Sequence, residues 1–126
     1  MEDSSSLRIL QDSLLGAPII WKGDYPYFIH PISDGIPRME AKVLRATRDL
    51  IVSIVDWNEI DLIVSVEAMG LPLLAAVGDA TGKPTVVIRK RSYGMEGEVS
   101  VNVSTGYSES TVYINDIKKG EKILIV

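Results

Sequence analysis

A chain of 126 residues, 46% hydrophobic and 24% charged, carries enough apolar material for one real core and is too short for two ordinary domains. Zero cysteines exclude disulfides, thiolate metal sites and thiol nucleophiles, and a formal net charge of -4 argues against a general nucleic-acid binder, which needs a basic surface to neutralise phosphates. The N-terminus MEDSSS lacks the basic segment and apolar run of a signal peptide, and no apolar stretch approaches a membrane span, so the expectation is a cytoplasmic protein without membrane contact.

The first segment, SLRILQDSLLGAP, sets Leu7, Leu10 and Leu14 on one helical face, with Gly16 and Pro18 as the stop. The next, IIWKGDYPYFIHPISDGIP, is rich in aromatics, Gly and Pro and reads as a binding loop with one short strand. RMEAKVLRATRDLIVSIVDW spaces Val43, Leu44, Leu50, Ile51, Ile54 and Val55 at steps of three and four, opposite Lys42, Arg45 and Arg48, which predicts an amphipathic helix.

IDLIVSV then forms a continuous apolar run of the kind buried in a sheet covered on both faces. LPLLAAVGDA follows as a helix with Pro72 in its first turn, TGKP turns the chain, and TVVIRKR makes a second buried strand. Strand, helix, strand predicts a βαβ unit with parallel strands and a right-handed crossover. Between Gly94 and Gly120 the pattern changes to alternation in EVSVNVS and STVYIN around TGYSES, an antiparallel hairpin inserted before the last core strand, KILIV. There is no internal repeat and no low-complexity linker.

Ligands of open parallel sheets bind off the carboxyl ends of the strands. The first strand delivers Glu67 to Gly70 at a helix N-terminus, whose free N–H groups and dipole favour an anion. The second delivers Arg89, Lys90 and Arg91 at the same edge, and the two together make an anion site. From spacing alone the plainer readings lead: Glu67 as a carboxylate set against the helix dipole, and RKR as a solvated strand end. His30, the single histidine, has no partner identifiable from sequence and reads as a loop or packing residue rather than a base. Tyr25, Tyr27 and Phe28 fit equally as core aromatics or as a platform for a flat ligand. The glycine spacings match neither a dinucleotide-binding fingerprint nor a Walker loop.

With these motifs in place, the whole chain resembles a type I phosphoribosyltransferase, and most closely the archaeal hypoxanthine/guanine branch that shares its fold with the adenine enzymes. The stretches that carry the resemblance are KGDYPYFIHPISDGIP, DLIVSVEAMGLPLLAA, VVIRKRSYGMEGEV and TGYSESTVYIND, in that order and spacing. The loop after the first strand reads Glu-Ala-Arg-Gly in adenine-type relatives and Glu67-Ala68-Met69-Gly70 here, which turns the base expectation towards hypoxanthine and guanine. The fold implied is α/β, a mostly parallel sheet with flanking helices and an inserted antiparallel hairpin, incomplete at the C-terminus. It forms a single domain, with residues 1–38 as lead helix and base-binding hood and 39–126 as core, the hood hairpin at 94–115.

The resemblance implies pyrophosphate and phosphoribosyl pyrophosphate binding by Glu67, Ala68, Met69, Gly70, Arg89 and Lys90, base binding around Phe28 and Ile29, and catalytic assistance from the hood residues Tyr107 and Glu109. Gly106 stands where the adenine enzymes carry a loop glutamate, and Glu109 is the nearest substitute. It further implies a substrate-borne Mg²⁺ with no direct protein ligand, purine and phosphoribosyl pyrophosphate as substrates, a homodimer, and purine salvage giving IMP or GMP. The family's acidic ribose-phosphate signature would follow KILIV, so the expectation is a chain cut short at Val126 and inactive alone. Three alternatives are an adenine enzyme, a non-catalytic sensor of phosphoribosyl pyrophosphate, and a stable binding module; the last is disfavoured by a core strand at the end of the chain.

Overall fold

The structure, a computed structural model, describes residues 4–106 and 108–126. Helix α1 (Ser4–Leu15) ends where the Gly16 N–H donates to Asp12 at 3.1 Å, with Pro18 two residues on. The aromatic segment after it is not a loop with one strand but a complete hairpin, β1 (Ile19–Lys22) paired antiparallel with β2 (Tyr25–Phe28). Gly23 turns it with φ of 63°, a conformation a side chain disfavours. Pro26 is tolerated because both strands of a two-stranded sheet are edges, so a strand can lack an N–H without breaking an interior ladder.

A single turn, α2 (Pro31–Asp34), leads to α3 (Ala41–Ile54), which packs on α1 and on the later helix α4 (Leu71–Thr81). Its buried residues are Val43, Ala46 and Thr47, the last satisfied by donating to the Val43 carbonyl at 2.8 Å. Leu44, Leu50 and Ile51 are half-buried as the periodicity predicts. Ile54, expected on the same face, is the helix's last residue and is 75% exposed.

A 3₁₀ turn (Trp57–Glu59) delivers the chain to β3 (Leu62–Val66), then α4 (Leu71–Thr81) and β4 (Thr85–Ile88). With β7 (Ile123–Ile125) these strands form a parallel sheet in the order β4-β3-β7, so β3 is central and buried over Leu62 to Ser65. Alternation sorts its side chains into two clusters. Ile63 packs with Leu74, Val77 and Val87 on the α4 face, while Leu62 and Val64 pack with Val86, Ile88, Val112 and Ile114 on the other. Each fully buried aliphatic side chain here is worth roughly 2 kcal/mol of transfer free energy.

Two glycines let α4 lie close to the sheet. A Cβ on Gly78 would stand 2.5 Å from the Thr85 methyl group, and one on Gly70 would stand 1.7 Å from Ser65 Oγ. Ser65, the buried hydroxyl of β3, donates to the Val126 carbonyl at 2.7 Å and so ties β3 to the end of β7.

The alternating segment forms β5 (Val99–Ser104) and β6 (Glu109–Ile114), antiparallel as expected. This hairpin is attached at its base, where Arg89 and Tyr113 exchange both backbone hydrogen bonds, at 3.0 and 2.7 Å. All six β5 residues are exposed, whereas β6 lays Val112 and Ile114 on the core cluster around Leu62 and Val64, so the strand ends nearest the hairpin turn, Ser104 and Glu109, lie outside the core.

Candidate functional site

Strand parity assembles the site. Ile63 and Val87 face α4, and Glu67 and Arg89, each one residue past the end of its strand, continue the same alternation of β3 and β4. The register pairs Val66 with Ile88, which brings Glu67 and Arg89 level at the carboxyl edge of the sheet, beside the start of α4.

Glu67 is committed on both oxygens. Oε1 accepts the Lys90 backbone N–H at 2.6 Å, and Oε2 lies 3.2 Å from Arg89 Nε. That second contact is an ion pair off the line of a hydrogen bond, which leaves the buried Nε without a hydrogen-bond acceptor. The Lys90 N–H bond, followed by the charges of Arg89, Lys90 and Arg91, holds the Glu67 carboxyl below its ordinary range. Glu67 therefore does more than complement a helix dipole: it fixes the end of β4 to the end of β3. Lys90 is exposed, and its ammonium takes part in none of the ion pairs among the described residues.

The loop that follows is a tight turn with a cis Glu67–Ala68 peptide bond. Glu67 N–H donates to Ile88 at 3.2 Å and Leu71 N–H to Ala68 at 3.2 Å, but the N–H groups of Ala68, Met69 and Gly70 have no protein acceptor among the described residues. Three successive free donors ahead of an eleven-residue helix offer an anion both hydrogen bonds and a favourable dipole end. This is the loop for which the sequence expects diphosphate binding.

Beyond Arg91 the structure adds residues that sequence reasoning missed. The Tyr93 ring lies 5.2 Å from the Arg89 guanidinium and 5.0 Å from that of Arg91, and its hydroxyl accepts from Arg91 Nη2 at 3.3 Å. Glu98 accepts from the Ser92 hydroxyl, from the Tyr93 N–H at 3.0 Å and from Asn115 Nδ2 at 3.0 Å. These bonds, the one from Ser92 foremost, hold the Glu98 carboxyl below its usual range. A tyrosine two and four residues from arginines was the available signal; no local pattern announces that Glu98 reaches back to it.

The N-terminal part approaches the same edge. A Cβ on Gly35 would stand 3.7 Å from the Met69 methyl, so the turn after α2 abuts the anion loop. His30 sets that turn: it is 3% exposed, its Nδ1 accepts the Ile32 N–H at 3.2 Å, and its Nε2 lies 2.9 Å from Ser13 Oγ. An accepting Nδ1 places the proton on Nε2, and the Ser13 hydroxyl passes its own to Leu10 at 2.7 Å. His30 is a packing and capping residue, as its isolation in sequence indicated. Phe28 stacks on it, centroids 5.9 Å apart and planes at 8°, with 41% of its surface exposed, while Ile29 is buried.

Of the hood residues, Tyr107 lies outside the described residues. Glu109 opens β6, paired with Ser104 at the far end of the hairpin. It stands four positions before Tyr113, which at about 3.4 Å per residue sets it roughly 14 Å along the strand from the Arg89 bridge. Among the described residues no three His, Asp or Glu side chains converge as a metal cage, and both Glu67 oxygens are already engaged.

No protein-family model matches the chain. Among solved structures it superposes on the adenine phosphoribosyltransferase of Thermoanaerobacter pseudethanolicus with a TM-score of 0.74 at 18% identity, covering 92% of this chain and 68% of that one. The Saccharomyces cerevisiae adenine phosphoribosyltransferase gives 0.71 at 17% identity, covering 94% and 70%. With a parallel sheet and the loop Glu67 to Gly70 at its carboxyl edge, the chain has the type I phosphoribosyltransferase fold.

In sequence it is similar to archaeal proteins named hypoxanthine/guanine phosphoribosyltransferase. It is 48% identical over 120 residues to the protein so named from Aciduliprofundum boonei, covering 95% of this chain and 65% of the relative. The protein of the same name from Methanosarcina mazei is 49% identical over 120 residues, 95% and 63% of the two chains. The chain spans just under two thirds of the length of these relatives.

Proposed function

We propose that the protein transfers the phosphoribosyl group of phosphoribosyl pyrophosphate to hypoxanthine or guanine in purine salvage, and that this chain supplies the diphosphate side of the site. The observation that carries the reading is the Glu67 clamp at the sheet edge, with Arg89 and Lys90 beside three free loop N–H groups. The names and identity of its relatives support the choice of base.

In this reaction a purine ring nitrogen bonds to C1' as the bond from C1' to the diphosphate breaks, the electron pair leaving with the diphosphate and the purine N–H proton released to solvent. Negative charge grows on the leaving group, so fixed donors and cations aimed at it lower the barrier. Ala68, Met69 and Gly70 supply backbone donors, and Arg89 and Lys90 supply charge. Glu67 acts on this set as a positioning residue. Mg²⁺ prefers oxygen ligands and retains water; in this proposal it arrives on the diphosphate. The β5–β6 hairpin, anchored only at its base, is the element proposed to close over C1' and exclude water, carrying Glu109 and residue 107 towards the site. Phe28 and Ile29 are proposed for the purine side. A homodimer in the cytoplasm is proposed with the reaction, on the family resemblance, and gel filtration measures the assembly.

The test is a steady-state assay of the whole protein with phosphoribosyl pyrophosphate and each of hypoxanthine, guanine and adenine, following the nucleotide formed. Turnover with the 6-oxopurines is expected. Exclusive use of adenine would overturn the base, and no turnover with any of them the transferase itself.

A further inference from the structure

Two guanidinium groups share one aromatic ring beside the anion loop, and that ring is pinned by a carboxylate from the base of the hairpin. We propose that Tyr93 is a positioning residue for the diphosphate site, held by Glu98 so that Arg89 and Arg91 are both presented to the diphosphate; the inference rests on the function proposed above.

Arginine side chains carry several rotatable bonds, and a loose pair at an exposed edge loses rotamer freedom when an anion binds. An aromatic face stabilises a guanidinium laid against it without consuming its charge. Tyr93 offers that face to Arg89 at 5.2 Å and to Arg91 at 5.0 Å, and adds a hydroxyl acceptor for Arg91. Arg91 is in no ion pair among the described residues, so its charge is not spent on a carboxylate. The ring would swing with its backbone, since residues 89 to 98 hold no strand or helix after the Arg89 bridge. Glu98 prevents this by taking the Tyr93 N–H and the Ser92 hydroxyl. Asn115, one residue past β6, donates to the same carboxylate and joins the clamp to the hairpin base. The cations and the hairpin are thereby coupled through one carboxylate.

The test measures inorganic pyrophosphate binding to the whole protein by calorimetry, with steady-state constants for phosphoribosyl pyrophosphate and hypoxanthine alongside. Tyr93→Ala should weaken pyrophosphate binding about fivefold to thirtyfold, the effect of two exposed cation–π contacts. Tyr93→Phe keeps the ring and should recover most of the loss. Glu98→Ala should weaken binding in the same direction and, by removing three hydrogen bonds, lower the melting temperature as well; in both alanine variants the hypoxanthine KM should stay near that of the parent, and in Tyr93→Ala so should the melting temperature. If Tyr93→Ala binds within twofold of a parent that does bind pyrophosphate, or if phenylalanine is as damaging as alanine, this inference falls and the proposed function stands. If the parent itself does not bind pyrophosphate, both fall.

Discussion

Gly70 and Ser65 stand so close that a Cβ on the glycine would come within 1.7 Å of the serine Oγ, 2.9 Å of its Cβ and 3.1 Å of the Val66 carbonyl. The loop from Glu67 to Gly70 is therefore folded back onto the strand that delivers it, and only a residue without a side chain fits. Ser65 cannot turn aside without giving up its bond to Val126. Gly70→Ala should destabilise the protein by about 1–3 kcal/mol through overpacking. It should also weaken pyrophosphate binding, because relief of the clash displaces a loop N–H; urea denaturation and calorimetry read the two effects separately.

Acid should loosen the same edge. Glu67 has a folded pKa below its ordinary 4.5, chiefly through the Lys90 N–H, and Glu98 is likewise lowered, chiefly through Ser92. A depressed carboxyl contributes stability that is present above the unfolded value and lost as pH falls through the folded one. Stability should therefore decline below about pH 4.5, the ordinary value of these groups. Glu67→Gln should flatten that decline while lowering stability at neutral pH. Melting curves from pH 3 to 7, roughly the range in which carboxylates titrate, check it; an unchanged acid limb would remove Glu67 from the account.

Lys90 tests the charge of the site without disturbing the core, since its side chain is exposed and only its backbone N–H meets Glu67. Lys90→Met should leave the melting temperature in place and weaken pyrophosphate binding about tenfold to a hundredfold, as expected for one charge-assisted contact. Raising the salt concentration should weaken the parent more than the variant.

His30 should prove structural. His30→Ala removes the acceptor for Ile32 N–H and the partner of Ser13, which should cost about 1–3 kcal/mol. His30→Asn restores an N-cap acceptor and should recover part of the loss. Neither variant should alter the pH profile of turnover at a temperature where it is folded; a lost ionisation in that profile would make His30 a participant instead.

Most elements were legible in the chain because the spacing of their apolar residues has an unambiguous period or run. The leucine spacing of α1, the apolar run of β3 and the alternation of β5 and β6 each specify their element locally. The β1–β2 hairpin was not read as two strands because Tyr25, Pro26, Tyr27 and Phe28 do not alternate, and none of the four is fully buried. The Gly23-Asp24 turn between Lys22 and Tyr25 was the signal that could have found it. Ile54 shows the converse, an apolar residue in phase with its helix and left outside.

At the site, the sequence by itself determined the parts: an apolar strand closed by Glu67, a glycine before Pro72, and three basic residues at the end of a second strand. Burial patterns and turn chemistry are local, so one chain suffices to read them. Only the tertiary structure decided how the parts meet. Parallel pairing of Val66 with Ile88 sets Glu67 against Lys90, and a carboxylate from the hairpin base returns to hold Tyr93 beside two arginines. Those contacts join residues 23 and 5 positions apart, and neither distance is a period of helix or strand, so no pattern along the chain encodes them.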